Sequence, residues 1–158
     1  MGGAEAYSIR NRADYDRLAT ELSRNLIVLV EDNPADVLLL REALASHGVE
    51  SSLFVANDGD EAIRFIDEIE KTRLRCPDLI ILDLNLPRKS GFEVLQKVRA
   101  TSRCCERPVV ILSSSGAATD REQAARLGAS CYIRKPSTLK DFLAIGAQLK
   151  AILPGGGL

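Results

Sequence analysis

Short unbroken runs of Leu, Ile and Val recur along the chain, and they constrain its fold more than any other feature. The strongest are Leu26–Val30, Leu79–Leu82 and Val109–Leu112. Alternation of apolar and polar residues would mark a strand with one wet face. These runs do not alternate, so each reads as a strand covered on both faces. Two weaker runs, Leu53–Ala56 and Cys131–Arg134, bring the candidate strands to five, at roughly 25-residue spacing.

The gaps between the runs carry helical periodicity. Val37, Leu40 and Leu44 sit at i, i+3 and i+7 after the first strand. Ala62, Ile63, Ile66 and Ile69 mark a second helix, and Val94, Leu95 and Val98 a third. Thr119 or Asp120 is the expected cap of a fourth, Ala-rich helix that stops at Gly128. Leu139, Phe142, Leu143, Leu149 and Ile152 form the stripe of a fifth. Five strand–helix units in succession specify an α/β fold: a doubly wound, five-stranded parallel sheet with helices on both faces. The expected strand order is flavodoxin-like, 2-1-3-4-5.

The domain is expected over residues 25–153, with 154–158 as a tail. Residues 1–24 form an N-terminal extension. Within it Tyr15, Leu18, Ala19 and Leu22 lie at helical spacing with Asp14 as the expected cap, so the extension reads as an amphipathic helix or a frayed leader.

Composition narrows the partners. Lys plus Arg number 21 against 22 Asp plus Glu, too balanced for a protein held to phosphates by charge. Aromatic residues are 4% and Trp is absent, which leaves no stacking platform for single strands. Neither count suits a nucleic-acid partner. No apolar run approaches the ~20 residues of a membrane span, and the first residues have no signal-peptide core. Cys76, Cys104, Cys105 and Cys131 match neither a zinc site nor a CxxC pair, and His47 is the one histidine. They read as reduced thiols of a cytoplasmic protein.

Polar chemistry gathers where strands end. The first strand ends in Glu31-Asp32, the third in Asp83, the fourth in Ser113 and the fifth in Lys135. In an open parallel sheet the ligand site lies beyond the carboxyl ends of the strands, at the switch in strand order. The first and third strands are neighbours there, so three carboxylates converge. They repel one another unless a cation is present, and oxygen-only ligands suit Mg²⁺. With Mg²⁺ and the Lys135 ammonium the formal charges cancel. Taken singly, each residue has a plainer use: an Asp before a helix is ordinarily a cap, and Asn33-Pro34 ordinarily a turn into a helix.

The constellation resembles the receiver domain of two-component response regulators, the CheY-like family. The resemblance covers about residues 24–152 and rests on VEDNPAD at 30–36, LDLNLPRKSG at 82–91, VILSSS at 110–115 and YIRKP at 132–136. The intervals fit as well, 30 residues from Asp83 to Ser113 and 22 from there to Lys135. ADVLLLREAL and DLNLP look closest to regulators partnered with phytochrome-type histidine kinases.

The resemblance implies a role for each position. Asp83 would be the phospho-acceptor, and Glu31, Asp32, Asp83 and the Asn85 backbone carbonyl would hold Mg²⁺. Lys135 and Ser113 would contact the phosphoryl group, with the Lys135–Pro136 bond cis. Ser113 and Tyr132 would be the switch pair, and Pro87 and Gly91 would shape the loop into the third helix. Ser114 stands where the family usually has Ala or Gly, and its side chain is expected to narrow access to the site.

The implied protein is a single-domain regulator, not an enzyme in the ordinary sense. It would take a phosphoryl group from a sensor histidine kinase or a phosphotransfer protein and signal to a downstream protein target. A homodimer is compatible with this. Two alternatives stand beside it. One is an interaction module on the same fold in which phosphorylation is irrelevant. The other is a haloacid dehalogenase-like phosphatase, which typically has a second Asp where this chain has Asn85.

Overall fold

Each unbroken apolar run forms a parallel strand that feeds two separate cores. The computed structural model describes residues 6–20, 25–72 and 74–154. Among them, in chain order, are β1 (Ala6–Ser8), α1 (Arg12–Thr20), β2 (Asn25–Val30), α2 (Pro34–Ser46), β3 (Ser51–Ala56), α3 (Gly59–Lys71), β4 (Leu79–Leu82), α4 (Gly91–Ala100), β5 (Val109–Ser113), α5 (Ala118–Arg126), β6 (Cys131–Arg134) and α6 (Leu139–Ile152). Leu26, Val28 and Val30 of β2 enter the core beneath α1, α3 and α4, while Ile27 and Leu29 enter the core beneath α2 and α6. β4 and β5 divide in the same way. With every second residue serving the opposite core, no position on these strands is left for a polar side chain, which is why the runs are continuous.

Among the described residues the sheet has six strands, not the expected five, in the order β1-β3-β2-β4-β5-β6. Its last five strands keep the expected 2-1-3-4-5 order. The extra strand comes from the N-terminal extension. Ala6, Tyr7 and Ser8 pair in parallel with Leu53, Phe54 and Val55. Three residues are too few for either strand or helix periodicity to register. The helix expected behind it is present as α1, but Asn11 caps it, accepting from the N–H groups of Ala13 and Asp14. Asp14 instead accepts from the N–H of Arg10. Leu22, also assigned to that helix, lies outside the described residues.

Two glycines let elements meet at backbone distance. α2 and α6 approach each other through Gly146, where an added Cβ would lie 2.1 Å from the Ala43 carbonyl oxygen. α4 starts against the end of β4 because Gly91 has no side chain; a Cβ there would lie 2.3 Å from the Asp83 carbonyl oxygen.

The cysteine expectation is corrected for one pair. Cys76 and Cys104 form a disulfide, with their Cα atoms 5.8 Å apart, while Cys105 and Cys131 are free. Their separation of 28 positions resembles no motif. The fold returns the chain after α4 to the start of β4, and that return brings them together. No helix among the described residues is long and apolar enough to cross a membrane.

Candidate functional site

Three strand ends are extended by one more ladder hydrogen bond each, and those bonds assemble the site. Beyond β2, Glu31 N–H donates to the Ala56 carbonyl at 3.0 Å. Beyond β4, Asp83 N–H donates to the Val30 carbonyl at 3.0 Å. Beyond β6, Lys135 N–H donates to the Ser113 carbonyl at 2.8 Å. Each functional side chain is thus fixed by the sheet backbone rather than by a free loop.

The plainer uses of these residues are taken by their neighbours. Asn33 caps α2, accepting from Ala35 N–H at 2.9 Å, with Pro34 as the first helical residue. Asp32 is therefore left exposed at the mouth of the site. Ser90 caps α4 in a reciprocal capping box with Glu93, which releases Asp83 from that duty. One carboxylate oxygen from each of Glu31, Asp32 and Asp83 lies within 4.8 Å of the others.

The Lys135 ammonium bridges the acidic cluster. Its Nζ lies 2.6 Å from Glu31 Oε1, 2.8 Å from Asp83 Oδ2 and 2.9 Å from Asp36 Oδ2. Asp36 closes the VEDNPAD run, but it is the one acceptor of the three to which the resemblance assigns no role. Its place in the first turn of α2, just past the cap, turns it back toward the strand ends. A cavity of about 10 Å³, lined by Glu31, Asp36, Asp83 and Lys135 over a floor that includes Leu40 and Leu112, has room for roughly one water.

Three carboxylates around one ammonium leave an excess of negative charge. Burial pushes Glu31 up to about 9, and the Asp36 and Asp83 carboxyls add to the rise against the pull of Lys135. Burial also works against charge on Asp36 and Lys135, but their hydrogen bonds win. Asp36 is held below the ordinary carboxylate range by Glu31 and Lys135, and Lys135 is held above the ordinary lysine range, chiefly by Asp36 and Asp83.

The remaining predicted residues lie around this centre. Asn85 is exposed, and its N–H donates to Asp83 Oδ1 at 3.1 Å. Its loop is pinned to α3 by Arg88, which adopts φ 69° and pairs with Asp58 at 3.3 Å and Asp60 at 3.9 Å. Ser113 is fully buried, and its Oγ accepts from Ser115 N–H at 3.2 Å. Ser114 is exposed. Tyr132 is half-buried, with Arg121 over its ring at 4.6 Å.

Two local expectations are corrected. Neither Thr119 nor Asp120 caps α5. Its N-cap is Ala117, without a side-chain cap bond, and Ser115 Oγ accepts from Ala117 N–H while donating to Asp120. No peptide bond among the described residues is cis, so Lys135–Pro136 is trans. Trans is the ordinary preference of an X-Pro bond, and from it Lys135 still reaches all three carboxylates.

The donor set fits a hard divalent cation. It offers oxygen ligands only, and Glu31 Oε2 is buried without a hydrogen-bond partner. A buried acceptor of that kind is costly unless a cation or its bound water satisfies it.

Comparison with known proteins agrees with this geometry. The family model described as response regulator receiver domain matches residues 27–145. Response regulator Rcp1 of Synechocystis sp. is 37% identical over 117 residues, covering 73% of this chain and 80% of Rcp1. The structure of the phosphorylated cyanobacterial phytochrome response regulator RcpA has a TM-score of 0.74 at 36% identity, covering 83% of this chain and 94% of RcpA. The Mn²⁺-bound form of Rcp1 has a TM-score of 0.73 at 32% identity, covering 82% of this chain and 99% of that one. This chain spans about half the length of other curated relatives, which are transcriptional regulatory proteins.

Proposed function

The chain belongs to the response regulator receiver domain family, and on that premise we propose that it accepts a phosphoryl group on Asp83 and signals by protein contact. The donor is a phosphohistidine of a sensor histidine kinase or a phosphotransfer protein. Likeness to phytochrome response regulators supports a phytochrome-type kinase as the source.

The carrying observation is the Lys135 ammonium 2.8 Å from Asp83 Oδ2, beside three converging carboxylates. An Asp83 carboxylate oxygen attacks the phosphorus. The P–O bond forms as the P–N bond breaks, and the imidazole, protonated on its other nitrogen, leaves as the neutral ring. Lys135 orients the acceptor before transfer and donates to a phosphoryl oxygen after it. Glu31, Asp32, Asp83 and the Asn85 carbonyl would hold Mg²⁺. When bound, Mg²⁺ neutralises charge on the transferring group. Ser113 supplies a hydroxyl donor to the product, and Tyr132 changes its environment as Ser113 moves. A downstream protein reads the altered surface around β5, α5 and β6.

Intact mass after incubation with acetyl phosphate is the test. The expected result is a Mg²⁺-dependent gain of one phosphoryl group in the wild type and none in Asp83→Asn. A gain in Asp83→Asn, or none in the wild type with either acetyl phosphate or a phosphorylated histidine kinase, would overturn the assignment. Sedimentation of both forms reports whether a homodimer accompanies the change.

A further inference from the structure

An ammonium has three N–H bonds, and the structure accounts for all three on Lys135: one to Glu31, one to Asp83 and one to Asp36. Glu31 and Asp83 both belong to the carboxylate cluster that fits a divalent cation, whereas Asp36 does not. The three acceptors also ride on different elements. Glu31 and Asp83 extend strands of the sheet, while Asp36 lies in the first turn of α2 beside the mouth of the site. Its side chain is 21% exposed, against 3% for Glu31 and 9% for Asp83.

Two of the three acceptors take on other duties when the site is used. An oxygen of Asp83 would become the bridging oxygen of the acyl phosphate, and Glu31, which meets Lys135 through Oε1, would share its charge with a cation through Oε2, the oxygen without a hydrogen-bond partner. A lysine on a four-carbon stem whose bonds weaken either swings to solvent or is held by the acceptor that is left unchanged. We propose that Asp36 is a positioning residue: its carboxylate retains one N–H of Lys135 while the bonds to Glu31 and Asp83 weaken, and so keeps the ammonium beside Asp83 for the incoming phosphoryl group. This rests on the phospho-acceptor reading of Asp83.

Charge alone makes the opposite prediction. A carboxylate beside the site repels an anionic phosphoryl donor, so its removal would speed transfer whatever the state of Lys135. The positioning role requires its removal to slow transfer, and only when Lys135 is present. The amide oxygen of Asn accepts the same hydrogen bond without the charge.

The test is the rate of phosphoryl gain from acetyl phosphate with Mg²⁺, read by intact mass, for the wild type, Asp36→Ala, Asp36→Asn, Lys135→Ala and the Asp36→Ala/Lys135→Ala double variant. The loss of one charge-assisted hydrogen bond is expected to slow Asp36→Ala about tenfold. Asp36→Asn is expected to recover most of that rate, and the double variant to match Lys135→Ala. Thermal melts of the same set without metal give a second readout: Asp36→Ala is expected to lower the Tm when Lys135 is present and to leave the Lys135→Ala background unchanged. A rate for Asp36→Ala equal to or above wild type overturns the proposal alone, as does a slowing that persists in the Lys135→Ala background. A wild type that takes no phosphoryl group from any donor overturns the acceptor reading and the proposal with it.

Discussion

The Tyr132 hydroxyl donates to the Ser115 carbonyl at 2.8 Å, which ties β6 to the loop that follows β5. The same loop is held by Ser113 Oγ, which accepts from Ser115 N–H. Ser115 is therefore gripped from both sides, by the residue that would move toward a phosphoryl group and by the aromatic ring on the next strand. If Ser113 swings away, the loop loses one support and Tyr132 must adjust to it.

Tyr132→Phe removes the hydroxyl and leaves the ring. The expected cost is about 0.5–1.5 kcal/mol of stability, the ordinary net worth of one hydrogen bond. The chain has three tyrosines and no Trp, so tyrosine fluorescence is a clean reporter. Phosphorylation is expected to change it in the wild type. Ser113→Ala and Tyr132→Phe should both blunt that change, and an unchanged signal in the phosphorylated wild type would remove Tyr132 from the switch.

Cation binding and proton release are linked through Glu31. Burial raises this carboxyl to about 9 from an ordinary value of 4.5, so the metal-free protein is expected to hold a proton there near neutral pH. A metal ligand must be ionised, so binding expels that proton. Mg²⁺ affinity is expected to climb as pH rises from 7 toward 9. Titration calorimetry in two buffers of different ionisation enthalpy should report close to one proton released at pH 7. Stability of the metal-free protein runs the other way. The folded state holds a proton that the unfolded state has shed above about pH 4.5, so this contribution is greatest at low pH and is lost as pH rises through the folded value. Millimolar Mg²⁺ should raise the Tm by mass action, by an increment that grows with pH.

The strands and the site were legible for different reasons. Leu26–Val30, Leu79–Leu82 and Val109–Leu112 announced themselves because burial on both faces removes every polar residue from a run. Glu31, Asp32, Asp83, Ser113 and Lys135 were visible because a parallel sheet delivers its strand ends to one edge, so position in the sequence maps onto position in space. What escaped depended on contacts with no local period. Asp36 is one acidic residue in a helix, and only the reach of Lys135 across the sheet gives it a partner. β1 is three residues long, and Leu53–Val55 rather than its own pattern makes it a strand. Cys76 and Cys104 meet only because the chain returns after α4.

The disulfide closes a loop that contains β4, Asp83 and all of α4, so it constrains the unit that carries the acceptor carboxylate. For a separation of 28 positions, loop-closure entropy predicts about 3–4 kcal/mol of stabilisation. Both cysteines are buried, which protects the bond from dilute reductant in the native state. Denaturant titration of the fully reduced protein is expected to show a lower midpoint than the oxidised form, equivalent to that loss of unfolding free energy. Cys105→Ser, an exposed thiol outside the pair, should leave the difference intact. Equal midpoints for the two redox forms would mean that Arg103 already braces this return without help from the disulfide. Its guanidinium donates to the carbonyls of Ile69, Thr72 and Leu74.

Residues 6–20 of the N-terminal extension are packed as part of the domain. Ile9 is fully buried with its N–H on the Val55 carbonyl, Leu18 is 1% exposed, and Tyr15 lies 6.1 Å from Phe65 across the α1–α3 contact. Tyr7 covers Phe54 at 5.2 Å. A frayed leader would contribute nothing to unfolding, whereas a packed one shares the cooperative transition. Leu18→Ala deletes a buried side chain from α1 and is expected to cost about 2–5 kcal/mol. The urea midpoint should fall while the slope of the transition stays constant, since the same surface is exposed on unfolding. Phosphoryl gain at Asp83 should proceed as in the wild type under native conditions, because α1 packs on α3 and contributes no residue to the site. A midpoint unchanged from wild type would return residues 6–20 to the status of a leader.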